Sequence, residues 1–339
     1  RIGLTGSVSD MQTLGDKMYV STATGLYSKS SKTPLTTVGS SRNAFEKIKN
    51  SDIYNDDLIK SGGVILSRGY QSMGQIKNDN YETLYRGFSA QSEFTFLADS
   101  NHVLTLGDKG NSLEVFRMAN GNWSHYASIA QGMPEKLNNF KYDRERDLVW
   151  GANEDTLISF RIINNNKVLS DLQSYGSVNG LPDNSFTWVQ ALNTSVVFST
   201  IDGIYEFDET SSQFSKSLQF GEYFDEIGLA RFVDRNDSSK FYLTQQYEKG
   251  IADFNHSPVR MKQMPSTLVM PTACMPIYYD SRKGSFWGSA TSLLFVQEGK
   301  PENTKFPYTP LIRQVDVISG KDSTIFNGLF GLPEGTFSY

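Results

Sequence analysis

A short phrase returns about every forty-five residues along this chain, and no other feature narrows its fold as far. In each copy an apolar strand ending in a small residue meets a tight break, and a second apolar strand follows. The clearest copies are KMYVSTATGLY at 17–27, LVWGANEDTLI at 148–158, VVFSTIDGIY at 196–205 and SFWGSATSLLF at 285–295. Several short strands per unit at a period of about 40–50 residues predict a β-propeller, one four-stranded blade per repeat.

The large apolar residue near the end of each second strand counts the blades. These markers are Tyr19, Leu104, Trp150, Phe198, Tyr242 and Trp287, and the steps after Leu104 are 46, 48, 44 and 45 residues. The 85 residues from Tyr19 to Leu104 hold two units, with GVILS at 63–67 supplying the missing marker at Leu66. The expected fold is all-β: a seven-bladed β-propeller over residues 1–305, then the first strands of a C-terminal β-sandwich over 306–339.

Two copies also share the strand before the marker. KYDRERDLVW at 141–150 parallels YYDSRKGSFW at 278–287, with Asp143 and Asp280 each seven residues ahead of Trp. That spacing predicts a hairpin whose aspartate bonds the turn backbone, while the Trp fills the space between neighbouring blades. Asp234 opens the equivalent turn. Gly25, Gly203 and Gly250 are expected at the break between second and third strands, where a tight turn needs positive φ. Tyr19, Trp150, Tyr242 and Trp287 occupy one repeat position, so they read as core packing rather than as sugar-stacking platforms.

Two stretches depart from the rhythm. Residues 43–60 are polar and charge-rich without clear alternation, and read as a long loop or a short helix on the surface. From Phe306 no marker recurs; Pro307 and Pro310 make a stiff linker, and 311–318 alternates as a strand. One or two strands cannot fold alone, which is why the tail reads as the beginning of another domain.

Composition excludes several functions. A net charge of −5 and a pI near 5.4 argue against a nucleic-acid surface. No stretch reaches the ~18 apolar residues of a membrane helix, and no signal peptide opens the chain. The opening residues 1–4 read as mid-repeat, so a mature protein or a portion of a longer one is expected. Cys274 is the sole cysteine, which excludes an internal disulfide and any multi-cysteine metal site.

NGLPDNSFT at 179–187 followed by VVFSTIDGIYEFD at 196–208 resembles the repeat of the two-component regulator propeller family. That repeat reads loosely Gly-Leu-Pro-x-Asn-x-Val, then strand-Trp-x-x-Thr-x-x-Gly-Leu-x-x-Tyr-Asp; here Phe198 stands at the Trp position and Ile204 at the Leu position. DSTIFNG at 322–328 and LPEGTFSY at 332–339 are similar to the start of the triple-tyrosine sandwich that follows such propellers. The propeller resemblance spans nearly the whole chain, but only the fifth blade matches by letter. It implies a periplasmic or extracellular sensor region of a hybrid two-component or one-component regulator, responding to glycan-derived oligosaccharides. It also implies a second propeller and a sandwich in the same protein and a homodimer in the full-length form. No cofactor is expected.

An enzyme needs a site the residues do not offer. No acidic pair is singled out for glycoside hydrolysis, and His102, His125 and His256 read as lying in different blades with no nucleophile motif nearby. No catalytic residue is assigned. The turns at 234–237 and 78–82 are oxygen-rich but lack the spacing of a calcium loop, and no metal is expected. For ligand binding, topology places the inter-blade loop and the second-to-third-strand loop on one face. That face gathers Asn153 and Glu154 of blade four, Asp183, Asn184, Trp188 and Asp202 of blade five, and Gln245, Gln246, Tyr247 and Lys249 of blade six. Amides, carboxylates and an aromatic around a mouth suit a polar oligosaccharide, although ordinary polar loops look alike. A carbohydrate-active or surface-assembly propeller and a protein–protein scaffold are the alternatives.

Overall fold

The second strand of a repeat is rich in apolar residues because both of its faces are covered. In a computed structural model, Val64–Gly69 and Leu148–Ala152 are buried at every position. The structure describes residues 4–32, 45–51, 55–88, 94–96, 101–107, 111–130, 132–133, 137, 139–153, 156–163, 165, 167–182, 187–192, 195–221, 223–226, 230–237, 240–244, 249–263, 275–280, 284–288, 293–296, 314–319 and 322–327. For 55–56, 94–96, 226, 233–237, 240–244, 249, 262–263 and everything from 275 onward, it describes the backbone alone.

Seven antiparallel meanders follow one another among these residues. Sheet one is β1 (Val8–Leu14), β2 (Lys17–Thr22), β3 (Gly25–Ser30) and β4 (Glu46–Lys47). Sheet two is β5 (Asn55–Ser61), β6 (Val64–Gly69), β7 (Ser72–Lys77) and β8 (Asn80–Arg86). Sheet three is β9 (Phe94–Phe96), β10 (His102–Leu106), β11 (Leu113–Ala119) and β12 (Asn122–Ile129). Sheet four is β13 (Asn139–Asp143), β14 (Leu148–Ala152), β15 (Leu157–Ile163) and β16 (Val168–Tyr175). Sheet five is β17 (Trp188–Leu192), β18 (Ser195–Thr200), β19 (Gly203–Asp208) and β20 (Gln213–Lys216). Sheet six is β21 (Arg231–Asp237), β22 (Lys240–Thr244), β23 (Lys249–Asp253) and β24 (Arg260–Gln263). Sheet seven has three strands, β25 (Met275–Asp280), β26 (Gly284–Gly288) and β27 (Leu293–Val296). One short helix, α1 (Tyr223–Glu226), and a 3-10 turn at Ser177–Asn179 lie in the links. The all-β reading holds.

The chain divides into two compact units, Arg1–Glu298 and Gly299–Tyr339. Among its described residues the second contains one antiparallel pair, β28 (Gln314–Ser319) with β29 (Asp322–Asn327). In the first, the leading strands lie side by side: β1 against β5, β9 against β13, β13 against β17, β17 against β21, β21 against β25, and β25 against β1.

Period-two alternation sends neighbouring residues of the second strands whose side chains are described into different cores. Val149 packs with Leu104 and Leu113 of sheet three, whereas Trp150 packs with Phe198, Phe207 and Phe214 of sheet five. Trp150 is fully buried, its ring 4.9 Å from Phe198 and 5.0 Å from Phe207. Tyr19 and Leu104 also face the following sheet. Phe198 does not: it turns back to Trp150, and Val197 faces sheet six instead. The 48-residue step from Trp150 therefore counts a residue one place out of phase.

The aspartate turn forms as expected. Asp143 accepts the backbone N–H of Glu145 and of Arg146, and also the Trp150 indole N–H at 3.3 Å. The side chains of Asp234, Asp280, Tyr242 and Trp287, and all of Cys274, lie outside the described residues.

Three expectations change. Residues 43–60 are not one long loop or helix: where described they hold β4 and most of β5, with Phe45 and Ile48 buried. Charged side chains hid short strands whose burial rests on few apolar residues. Gly250 is not a turn residue but lies inside β23, opposite Leu243. His102 and His125 share sheet three, on β10 and β12.

Gly25 and Gly203 do sit at turns, for two reasons at once. Their φ values are +136° and +120°, and a Cβ on Gly25 would lie 2.2 Å from the Ser51 carbonyl oxygen. The preceding threonines close the same turns: Thr22 Oγ1 donates to Gly25 O and Thr200 Oγ1 to Gly203 O, each at 3.0 Å. Gly25→Ala is expected to lose at least the ~1–3 kcal/mol of a strained backbone, with the clash added. Gly176→Ala, with open space around it, should stay within ~0.5 kcal/mol. Urea midpoints compare the two.

Polar side chains staple neighbouring sheets. Asn139 Oδ1 accepts Val189 N–H at 2.9 Å, and Gln190 Oε1 accepts Phe232 N–H at 2.6 Å. Asp10 Oδ2 accepts Leu58 N–H at 2.7 Å across sheets one and two. A buried N–H left without an acceptor would cost about 1–3 kcal/mol, so each staple satisfies a group that packing alone would orphan.

Candidate functional site

Trp188 opens β17 and stands opposite Ser199, next to the turn that joins β18 to β19. Arg231 opens β21 opposite Thr244, which is also the partner of Lys249. Asn153 follows the end of β14, and Asp202 sits in the β18–β19 turn. Each of these residues lies at the end of its sheet where the leading strand begins and the second strand finishes. Topological reasoning therefore brings Asn153, Trp188, Asp202 and the backbone of Lys249 to equivalent sheet ends. Glu154, Asp183, Asn184, Gln245, Gln246 and Tyr247 lie outside the described residues.

Arg231 is the residue that sequence reasoning missed. Its guanidinium lies 5.2 Å from the centroid of the Trp188 ring, a cation–π contact between sheets five and six. The backbone on either side is clamped. Ala230 N–H donates to Ser199 Oγ at 2.8 Å, Gln190 Nε2 donates to Ala230 O at 2.7 Å, and Gln190 Oε1 takes Phe232 N–H. An exposed arginine is thus carried on a rigid segment over a half-buried indole. No motif marks such a residue, because its partner is 43 positions away.

Acidic and basic groups surround the adjacent turn. Lys216 and Asp225 form an ion pair at 3.3 Å, both partly exposed. Burial raises the Tyr205 hydroxyl above its usual range; Lys216 opposes this, and Asp202 and Asp225 add to it. Asn153 spends its side-chain oxygen on the local turn, accepting Thr156 N–H at 2.6 Å. Ile201 and Leu218, on the turn and on the link after β20, are 54% and 93% exposed. An aromatic face, a fixed guanidinium, carboxylates and exposed aliphatic carbon can hold a polar ligand by stacking and charge-assisted hydrogen bonds.

The letters of the best-preserved repeat do other work. Leu181 and Tyr205 are core residues, and Thr200 and Gly203 build the turn. Asp208 caps the next turn, accepting Thr210 N–H and Ser211 Oγ–H at 3.0 and 2.6 Å. Most of the motif's letters are architecture; of the candidate site only Asp202 and Ile201 fall within it, and Trp188 and Arg231 lie outside it.

A serine, a histidine and a glutamate do meet elsewhere, on β11 and β12. Ser128 Oγ donates to Glu114 Oε2 at 2.5 Å, and His125 Nε2 is 2.8 Å from the same oxygen. This is not a relay. A catalytic imidazole uses one nitrogen for the acid and the other for the nucleophile, whereas here Nε2 meets both and the serine is committed to the glutamate. Among the described residues, no group of three or more His, Cys, Asp or Glu is placed to hold a metal ion. None of their helices is long and apolar enough to cross a membrane.

No protein-family model matches the chain. No curated protein matches it either. Solved structures do. The extracellular domain assigned to a hybrid two-component system, BT4673 of B. thetaiotaomicron, aligns over 86% of this chain at 11% identity with a TM-score of 0.55. A second structure of the BT4673 extracellular domain, described there as a one-component system, aligns over 85% at 10% identity with a TM-score of 0.54. The chain spans 38% of the length of each. At such identities the likeness is one of fold: this chain shares its arrangement of antiparallel sheets with the BT4673 extracellular domain.

Proposed function

We propose that this chain is a non-catalytic, extracytoplasmic sensor region of a bacterial signal-transduction regulator, built as a seven-bladed β-propeller followed at 306–339 by the start of a sandwich domain. The observation that carries the reading is the likeness of fold to a signalling protein's extracellular domain over most of the chain. Seven consecutive meanders, with β25 lying against β1, support the closed ring. The ligand class is a glycan-derived oligosaccharide, held at the sheet ends that carry Trp188, Arg231 and Asp202. Signal then passes as a ligand-dependent shift between this region, a second propeller, the sandwich and a dimer partner.

Thermal shift of the purified chain against a panel of neutral and acidic glycan fragments tests this. A stabilising fragment is expected to lose about 2 kcal/mol of affinity, roughly thirtyfold, in Trp188→Ala or Arg231→Ala, because aromatic and arginine anchors dominate binding energy. Turnover of any fragment would overturn the non-catalytic reading. Equal binding by the parent and both variants would overturn the assignment of the face.

A further inference from the structure

We infer that the seam between sheets three and four carries a second binding site, in which Arg117 and Lys167 hold the carboxylate or sulfate of an acidic sugar. It lies at the sheet ends opposite to those of Trp188 and Asp202, beside the β11–β12 and β15–β16 turns. The Arg117 guanidinium carbon is 4.5 Å, and Lys167 Nζ 4.8 Å, from the centroid of one ring, that of Tyr126. The two charges are therefore no farther apart than those distances laid end to end, within reach of one acidic disaccharide.

A break in strand register puts the ring there. Val115 pairs with Ala127 and Phe116 with His125, so Tyr126 is an extra residue with no partner on β11. Such a bulge re-aims side chains. Tyr126 and Ala127, neighbours in sequence, both pack against the core shared by sheets three and four, whereas His125 turns to Tyr85 and Phe116. His102, opposite Arg117 on β10, meets the Tyr126 ring edge-on at 5.5 Å. Sheet four supplies Lys167 from the β15–β16 turn, where its backbone N–H donates to Ile163 O at 3.0 Å.

Both cations are exposed, in a chain of net charge −5. Among the described residues no carboxylate pairs with either of them. Three carboxylates of these two sheets are committed elsewhere. Glu114, on the same strand as Arg117, accepts from Ser112 and Ser128 and meets His125. Asp147 and Asp171 both face Arg161, at 3.8 and 3.6 Å. A guanidinium and an ammonium carry donors and no acceptor, so two of them on one ring lack an oxyanion to satisfy their N–H groups and relieve their repulsion. The shared ring also pre-orders two long side chains, which lowers the entropy a ligand must otherwise offset. Ile163 and Val168, paired across the hairpin that carries Lys167, are 42% and 43% exposed. Apolar carbon beside fixed positive charge suits an acidic sugar better than a bare ion.

Isothermal titration of the purified chain with inorganic sulfate, a diuronate, a sulfated disaccharide and a neutral disaccharide tests the site. Ionic strength is held constant with sodium chloride, because salt screens exposed charges. Both acidic disaccharides should bind, more tightly than sulfate, and the neutral one should not. Arg117→Gln and Lys167→Gln should each weaken binding by about tenfold, the scale of one hydrogen bond between charged groups. Lys60→Gln removes the same charge from an exposed position on β5 and should change nothing. Tyr126→Leu keeps apolar bulk but leaves both cations unordered, and should weaken binding less than the loss of either one. Failure of both acidic disaccharides to bind, or equal binding of the neutral one, would overturn the proposal. So would binding that survives both cation substitutions, which places the ligand on another face, or a loss in Lys60→Gln as large as theirs. Sulfate binding as tightly as the disaccharides would overturn the sugar and leave the site to the free anion.

Discussion

Trp150→Ala is expected to destabilise the chain by about 3–5 kcal/mol, the usual range for deleting a fully buried tryptophan. Trp188→Ala is expected to change stability by less than about 1 kcal/mol. The contrast follows from where the two indoles lie. Trp150 is enclosed by Tyr175, Phe198, Phe207 and Phe214, with ring centroids 4.9–6.0 Å away in tilted or edge-on contacts. Its removal opens a cavity between sheets four and five that the surrounding rings, each held by the others, cannot close. Trp188 is half-buried at a sheet end, where solvent fills the space it leaves. Urea unfolding of both variants, followed by circular dichroism so that loss of a fluorophore does not confuse the readout, separates scaffold from candidate site. A Trp150→Ala chain within 1 kcal/mol of the parent would mean that the repeat aromatics are not what joins the sheets. Trp150→Phe should recover part of the loss, since a ring remains although the indole N–H does not.

That contrast also marks what could be read from the sequence. Repeating contacts leave repeating letters. The Asp143-to-Trp150 spacing, the Thr-x-x-Gly turns at 22–25 and 200–203, and the apolar second strands were legible because each is local or recurs with the period. The staples were not. Asn139, Gln190 and Asp10 reach across seams to the backbone N–H groups of Val189, Phe232 and Leu58. Every non-proline residue offers that group, so the partner's identity carries no signal. The same blindness hid Arg231, whose role depends on a ring in the preceding sheet and on backbone clamps to either side. Short strands rich in charge, β4 above all, were read as loop or helix because periodicity needs more than two residues to show. Of the candidate site, topology supplied the sheet end and the positions of Asn153, Trp188 and Asp202. It did not show that Asn153 is occupied in its own turn, since Asn suits a turn and a ligand site equally well.

Asp143→Ala should be nearly as damaging as loss of the tryptophan, although it removes only a carboxylate. Asp143 is fully buried and faces four donors: the N–H groups of Glu145 and Arg146, the Arg146 guanidinium at 2.8 Å, and the Trp150 indole. Arg146 in turn donates to Phe207 O, so the aspartate joins a turn, a core indole and the next sheet. Alanine would leave a guanidinium without its counter-charge and an indole N–H without an acceptor. Breaking a buried pair from one side costs about 3–5 kcal/mol for this reason. Asparagine should rescue little. Whichever way its amide is turned, one of the two positions facing donors becomes a donor itself, a mismatch of about 1–3 kcal/mol. The discriminating variant is Asp143→Ala with Arg146→Ala. If the penalty lies in the uncompensated charge, the double variant will be more stable than Asp143→Ala alone. If the aspartate matters only as a turn cap, the second substitution will recover nothing and the single loss will stay near the ~1 kcal/mol typical of caps. Urea midpoints for the parent, the two single variants and the double variant decide between these outcomes.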